Sequence, residues 1–188
     1  MPSTPEPAPA PRADLPAAPD HGLGVTLNGD GADFAVHAPH ATAVDLCLLT
    51  MDADGAVVEE TRIGMHGPSR GLWSAHVPGV GVGQRYGYRA HGPWNPHEGL
   101  LYNPRKLLLD PYARALDGRV DLGPALYAHE VTDDLVPAAE PWLPSHLDSV
   151  GSTAVGVVTG DTFPVVPGPR VPRERAVIYE AHVKGLTY

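Results

Sequence analysis

The sequence predicts an all-β protein built on an antiparallel β-sandwich, and three observations support this fold class. Among 188 residues there are 22 prolines and 21 glycines, which break or loosen helices and disfavour a helical bundle. Between residues 21 and 122, short runs alternate apolar and polar side chains, as half-buried strands do. Turn pairs such as Asn28-Gly29 and Asp54-Gly55 separate the runs and tolerate the positive φ of hairpin turns.

The first segment, residues 1–20, is expected to lie outside the sandwich. It contains seven prolines and five alanines, which supply no apolar face that a strand or helix could bury. Segments of this composition remain extended and do not bury enough apolar surface to offset the entropy of ordering them. The sequence therefore predicts a disordered tail over these residues.

The alternating runs predict the strands and the core. In the third run, one face is apolar while the other carries Asp45 and Cys47, which is typical of a half-buried strand. In the sixth run, Tyr86 and Tyr88 share the face that should meet the core. The six predicted strands span residues 24–27, 32–37, 43–50, 57–63, 72–77 and 84–91. The predicted core side chains are Phe34, Val36, Val44, Leu46, Leu48, Trp73, Tyr86 and Tyr88.

Two further segments follow the sandwich. Residues 123–175 hold eight prolines and an acidic stretch with neither a strand nor a helix period, which predicts a long irregular connector that joins domains. Residues 176–188 include an apolar run from Val177 to Val183 without proline or glycine. Such a run is typical of a buried strand of a parallel sheet.

Charge and cysteine content exclude several classes of function. The chain has 13 Lys and Arg against 22 Asp and Glu, a formal net charge of −9, so we expect no nucleic acid partner and no anionic membrane partner. No apolar run approaches the roughly 18 residues of a membrane span, and the first residues lack the order of a secretion signal, which makes a cytoplasmic location the default. Cys47 is the single cysteine, so a disulfide framework and a multi-cysteine metal site are excluded.

No catalytic, metal or cofactor site is assigned from the residues. Neither a serine triad nor a pair of carboxylates at acid/base spacing is recognisable, and no cofactor motif is complete. Glu180 and His182 would share one face of the last predicted strand, but a surrounding domain would be needed to form a pocket around them. Cys47 has no adjacent basic residue to lower its pKa, so we interpret it as structural.

Trp94 is the aromatic residue with the strongest functional interpretation. It lies in the stretch HGPWNP directly after the sixth run, a rigid corner where an indole ring is able to stack on the apolar face of a sugar. The alternative is that Trp94 packs against the neighbouring loop over residues 96–112. The sequence leaves both interpretations open.

Three motifs follow one another along the chain: RYGYRAHGPW at residues 85–94, YNPRKLLLDPYA at residues 102–113 and VIYEAHVKGLT at residues 177–187. Together they closely resemble the isoamylase-type glycogen-debranching enzymes, and the resemblance covers residues 21–188. It implies that residues 21–122 form an early-set, immunoglobulin-like carbohydrate-binding module and that residues 176–188 contain the first strand of a catalytic (β/α)₈ barrel. Trp94, and more weakly Asn103, match positions implied to contact carbohydrate.

The resemblance also implies a chemistry, the hydrolysis of α-1,6 branch linkages in glycogen by a retaining mechanism. This mechanism uses a carboxylate nucleophile, a carboxylic acid/base and a third aspartate that stabilises the transition state. In such enzymes these groups follow later barrel strands, and a barrel needs about 250 residues, so the chain is expected to be the inactive front portion of such an enzyme. The implied partners are glycogen or a related α-glucan and the remainder of the barrel. The alternatives are a stand-alone, non-catalytic glucan-binding or regulatory module and an immunoglobulin-like domain for protein partners.

Overall fold

The strands of the sandwich lie between residues 24 and 157. The structure, a computed structural model, describes residues 5–12, 22–160 and 166–187. All six predicted strands are present, and shorter ones accompany them. The strands are β1 Gly24–Asn28, β2 Gly31–His37, β3 Ala43–Met51, β4 Val57–Gly64, β5 His66–Ser69, β6 Leu72–Pro78, β7 Arg85–His91, β8 Trp94–Asn95, β9 Leu100–Leu101, β10 Leu116–Asp117 and β11 Val155–Val157.

Two antiparallel sheets form the sandwich, which confirms the predicted all-β class. The first sheet has the order β1-β2-β6-β5 and the second the order β10-β11-β7-β3-β4. The register of β3 against β7 pairs Leu46 with Tyr88 and Leu48 with Tyr86. These side chains therefore point to the same face of the second sheet, as the period of two requires.

The core lies between the two sheets and contains the side chains predicted for it. Trp73 and Phe34 from the first sheet and Leu46 and Tyr86 from the second are all 1% exposed or less. The rings of Phe34 and Tyr86 meet edge to face with their centroids 5.1 Å apart. Val36 and Leu48 pack against this cluster while partly buried. The face that β2, β3, β6 and β7 turn to the interior is thus the apolar one.

The outer face of β3 is also buried, so the prediction of a half-buried strand is wrong. Cys47 and Leu49 are 0% and 2% exposed and form a second apolar cluster with Leu107 and Val155. Leu107 lies in the chain that follows β9, and Val155 belongs to β11, a late strand of the same sheet. Their contact with β3 depends on a distant segment, which the alternation within one strand does not reveal.

The prediction of an irregular connector over residues 123–175 is wrong for β11, which joins the second sheet beside β7. Gly156 pairs with Tyr86 in this register. A Cβ atom on Gly156 would lie 2.7 Å from the Tyr86 ring, so only glycine allows β11 to approach this closely. A three-residue strand has too short an alternation to be recognised, and its pairing partner decides its conformation.

Residues 5–12 contact the second sheet, in contrast to the expectation that the tail lies outside the fold. The N–H of Ala10 donates to Oδ1 of the buried Asp45 at 3.1 Å. The N–H of Gly64 donates to the Pro11 carbonyl oxygen at 3.3 Å, and Arg12 bridges to Gly64 in parallel. The segment is extended, as its composition predicted, but main-chain hydrogen bonds require no apolar side chains and attach it to the end of β4.

The barrel strand predicted near residue 180 is not formed. Val177, Ile178 and Tyr179 are irregular and 94%, 92% and 80% exposed. They are followed by a short helix, α1 Val183–Thr187. A parallel strand acquires its hydrogen bonds from neighbouring strands, and none of the described residues pairs with this segment, so its apolar pattern alone does not fix a strand.

Helical structure is limited to short turns among the described residues. Besides α1, three 3-10 turns occur, at Pro96–Glu98, Pro124–Leu126 and Arg173–Arg175. Each of the first two begins with a proline, which has the φ of a helical turn and no N–H to leave unbonded. None of the described helices has the length and apolar character needed to cross a membrane.

Candidate functional site

Trp94 lies at the corner that follows β7. It begins β8, whose pairing with β9 places Trp94 opposite Leu101. The 3-10 turn Pro96–Glu98 connects the two strands and ends at Gly99, whose φ of 75° is the left-handed conformation that glycine adopts without strain. The corner is therefore held by hydrogen bonds on both sides of the turn, and the indole projects from a fixed backbone.

The indole of Trp94 is bonded to the connector. Its Nε1–H donates to the main-chain oxygen of Trp142 at 2.9 Å, and the side chain is half-buried. This hydrogen bond gives Trp94 a structural contact with the connector, a partner that neither interpretation of Trp94 named. Part of the Trp94 side chain remains accessible to solvent.

Trp142 is the centre of a small aromatic group that the sequence analysis did not single out. Its ring stacks on His129 with centroids 4.3 Å apart and planes 22° apart, and Tyr127 meets His129 edge to face at 5.7 Å. The Trp142 Nε1–H donates to Glu140 Oε1 at 2.8 Å. The only signal in the sequence is an isolated tryptophan in a proline-rich stretch, because the partners come together only in the tertiary structure.

A cleft opens between the 3-10 turn and the connector. It has a volume of about 170 Å³ and is open to solvent. Its lining combines apolar rings with polar side chains. This composition suits a ligand that has both apolar faces and hydroxyl groups. The lining residues are Pro96, His97, Glu140, Pro141 and Trp142.

Asn103, the second predicted carbohydrate contact, is 8% exposed and braces the connector. Its Nδ2 donates to the carbonyl oxygens of Ala128 at 2.9 Å and Ser145 at 2.8 Å, and its Oδ1 accepts from the N–H of Arg105 at 3.0 Å. Both amide hydrogens are thus donated within the chain. A sugar hydroxyl would accept a hydrogen bond from the Asn103 amide N–H groups only by replacing one of these bonds.

Lys106, three residues after Asn103, also binds the connector. Its Nζ donates to the carbonyl oxygens of Ala125 at 2.8 Å and Leu147 at 2.7 Å and to Ser145 Oγ at 3.2 Å. The side chain is buried, and loss of hydration lowers the pKa of the Lys106 ammonium to about 8. All three donors of the ammonium are directed at the connector, so Lys106 positions this segment instead of presenting a free charge.

A buried ion pair between Arg89 and Glu60, on the outer face of the second sheet, also binds the connector. Arg89 is fully buried and donates to both carboxylate oxygens of Glu60, at 2.6 Å and 2.9 Å, and to Asp148 Oδ1 at 3.0 Å. Burial acts to raise the pKa of Glu60, but hydrogen bonds from Arg89 and Arg62 outweigh it and hold that pKa at about 2.

Cys47, Glu180 and His182, the other residues considered in the sequence analysis, do not line the cleft. Burial raises the pKa of the Cys47 thiol far above its usual value, which favours the structural interpretation over a nucleophile. Glu180 and His182 lie on the exposed segment before α1. Within residues 5–12, 22–160 and 166–187, no group of three or more His, Cys, Asp or Glu side chains is arranged to hold a metal ion.

Comparison with known families agrees with this geometry. Residues 22–113 match the family described as Carbohydrate-binding module 48 (Isoamylase N-terminal domain). These residues belong to carbohydrate-binding module family 48. The module includes β1 to β9 and both Trp94 and Asn103, whereas Trp142 and His129 lie outside it. The cleft is therefore formed by one turn of the module and by the connector that follows it.

Similarity to known proteins extends beyond the module. The chain is 42% identical over 166 residues to the glycogen debranching enzyme of Erwinia tasmaniensis, covering 87% of this chain and 23% of that protein. It is 40% identical over 168 residues to a glycogen operon protein GlgX homolog of Mycobacterium bovis, covering 88% of this chain and 22% of that protein. These matches confirm the resemblance to isoamylase-type debranching enzymes. The chain spans less than a quarter of the length of these curated relatives.

One solved structure with a similar chain is the pullulanase of Anoxybacillus sp. LM18-11 in complex with maltotriose. The two chains are 22% identical with a TM-score of 0.46, and the match covers 84% of this chain and 16% of the pullulanase chain.

Proposed function

We propose that this chain is the N-terminal portion of a cytoplasmic glycogen-debranching enzyme that hydrolyses α-1,6 branch linkages. The observation that carries the proposal is the extent of the similarity. The aligned 166 residues exceed the 92 positions of the module match, 22–113, so the likeness to a glycogen debranching enzyme includes much of the connector. A glucan-binding module that acted alone would have no reason to share the connector with debranching enzymes, which favours the enzyme over the stand-alone alternative.

The chemistry of hydrolysis would then belong to residues outside these 188. A retaining glycosidase needs two carboxyl groups about 5 Å apart on opposite sides of the scissile bond. Glu60, an acidic side chain whose pKa is strongly shifted, forms an ion pair with Arg89 that stabilises the fold. The proposed contribution of this portion is to hold α-glucan near the catalytic domain and to pack against that domain.

The glucan contact proposed within the module is the corner at Trp94. Trp94 is only half-buried and lies two residues before the turn that lines the cleft, and aromatic rings bind the apolar faces of sugars. Asn103 has the supporting role in this proposal, because it holds the connector in place beside the corner.

Affinity electrophoresis and a hydrolysis assay test this function together. The purified chain is run in native gels that contain glycogen, a linear β-glucan or no polysaccharide, and it is incubated with glycogen and pullulan for measurement of new reducing ends. We expect slower migration only in the glycogen gel and no reducing ends above an enzyme-free blank. Equal migration in all three gels would contradict glucan binding, and turnover that persists through further purification would contradict the placement of the catalytic groups.

A further inference from the structure

The connector brings Trp142 beside the 3-10 turn Pro96–Glu98 and so completes the cleft. We propose that this cleft is a binding subsite for one glucose unit of an α-glucan, with Trp142 as the stacking platform and Glu140 and His97 as the partners of sugar hydroxyls. The inference rests on the proposed function, since it states where on this portion the glucan is held. It places the main contact outside the module itself.

The Trp142 ring is held in one orientation before any ligand arrives. His129 stacks on one face at a centroid distance of 4.3 Å, Glu140 accepts the indole N–H, and the Trp142 main-chain oxygen accepts the N–H of Trp94. A ring fixed in this way loses little conformational entropy when a ligand stacks on it, so more of the contact energy appears as affinity. A sugar reaches the part of the indole that lines the cleft.

Glu140 and His97 are able to form further hydrogen bonds with a ligand in the cleft. One oxygen of Glu140 accepts from Trp142, and an ionised carboxylate has about four lone-pair sites on two oxygens. His97 is exposed on the 3-10 turn, and a neutral imidazole both donates and accepts. Sugar hydroxyls also donate and accept, so the two side chains complement a ring bound between them.

Charge and size restrict the class of ligand. A carboxylate at the cleft and a net charge of −9 disfavour phosphates, nucleotides and acidic sugars, which leaves neutral ligands. The volume of about 170 Å³ is below the roughly 300–1,000 Å³ of pockets for drug-sized molecules. Because the cleft is open to solvent, a single glucose unit fits while the rest of the polymer continues outside.

Titration of variants with maltoheptaose, followed by tryptophan fluorescence and NMR, tests the subsite. Trp142→Ala is expected to raise the Kd by about tenfold or more, since base stacking on aromatic rings has an effect of that size. Glu140→Gln keeps an oxygen that accepts the Trp142 N–H, and His97→Ala changes an exposed side chain, so neither should alter the melting temperature. Each is expected to raise the Kd about threefold. His40→Ala, an exposed histidine in the turn between β2 and β3, is the matched control and should leave the Kd unchanged.

A loss of binding by Trp142→Ala through misfolding is distinguished by Trp142→Phe, which retains a stacking ring and should recover most of the affinity. If the unaltered chain binds maltoheptaose and all cleft variants bind equally well, the subsite proposal is overturned while glucan binding stands. If the unaltered chain shows no fluorescence or chemical-shift change with maltoheptaose and no retardation by glycogen, the proposed function of this portion fails, and the subsite fails with it.

Discussion

The indole N–H of Trp94 donates to the main-chain oxygen of Trp142 at 2.9 Å, a bond that joins the module to the connector across 48 positions. Asn103 and Lys106 add four further hydrogen bonds to carbonyl oxygens of the connector, at Ala125, Ala128, Ser145 and Leu147. The surface around the cleft is therefore assembled from two parts of the chain. The connector part of this surface is held in place by Asn103 and Lys106, which do not line the cleft themselves.

Replacing Trp94 by phenylalanine should destabilise the chain. The substitution keeps an aromatic ring but removes the N–H, so the Trp142 oxygen loses its partner at a cost of about 1 kcal/mol in the free energy of unfolding. Urea unfolding monitored by circular dichroism measures the change. Trp142→Phe is the matched control, because it removes an exposed hydrogen bond to Glu140 and should cost less. Equal stability of the Trp94 variant and the unaltered chain would show that the bond contributes nothing.

Replacing Asn103 by alanine should loosen the connector while the sandwich stays folded. Two connector carbonyls lose their donors, and the expected cost is about 1–3 kcal/mol. Limited proteolysis should then cut within residues 123–150 faster than in the unaltered chain, with mass spectrometry locating the cuts. Asn95→Ala is the control, since Asn95 makes no side-chain capping bond to its turn. An unchanged cleavage rate for Asn103→Ala would contradict the bracing role.

Acid should destabilise the chain through Glu60. The folded-state pKa of Glu60 is about 2 and the unperturbed value is 4.5, so the folded state binds its proton more weakly than the unfolded state does. The stability this provides is present above pH 4.5 and is lost as the pH falls towards 2, by about 3 kcal/mol at most. Unfolding free energies measured between pH 6 and pH 3 check this. The decline should be shallower in Glu60→Gln than in the exposed control Glu59→Gln, and parallel curves would refute it.

The two core tyrosines should respond differently to removal of their hydroxyl groups. Tyr86 donates its O–H to Asp110 Oδ2 at 2.8 Å, whereas the buried Tyr88 hydroxyl has no hydrogen-bond partner among the described residues. Tyr86→Phe leaves a carboxylate oxygen without its donor and should cost about 1–3 kcal/mol. Tyr88→Phe removes an unsatisfied group and should be neutral or stabilising. Thermal melts of the two variants decide the matter, and a larger loss at position 88 would reverse the interpretation.

Deleting residues 176–188 should leave the sandwich as stable as before and reduce self-association. Val177, Ile178 and Tyr179 are almost fully exposed, so their removal takes away little buried surface. An exposed apolar run favours association between molecules. Light scattering against concentration measures association, and a thermal melt measures stability. A drop of several degrees in the melting temperature without improved solubility would show that this segment packs against the sandwich.

The sequence determined the sandwich because its signals are local. A period of two in the apolar side chains fixes both the strand and the face it buries, and turn pairs fix where one strand ends and the next begins. Phe34, Leu46, Trp73 and Tyr86 could therefore be placed in the core without knowledge of their partners. The motifs at residues 85–94 and 102–113 indicated the family for the same reason, since they are contiguous.

The tertiary structure alone decided what lies on the outside of that sandwich. Arg89 lies on the face of β7 opposite to Tyr86 and Tyr88, a position that alternation alone assigns to solvent. It is nevertheless buried, and it binds Glu60 of β4 and Asp148 of the connector. Val155 and Gly156 carry too short a pattern to predict a strand. Trp142 contacts His129 and Trp94 only when the connector folds back. Contacts between segments that are distant along the chain depend on the path of the chain in space, which local periodicity does not encode.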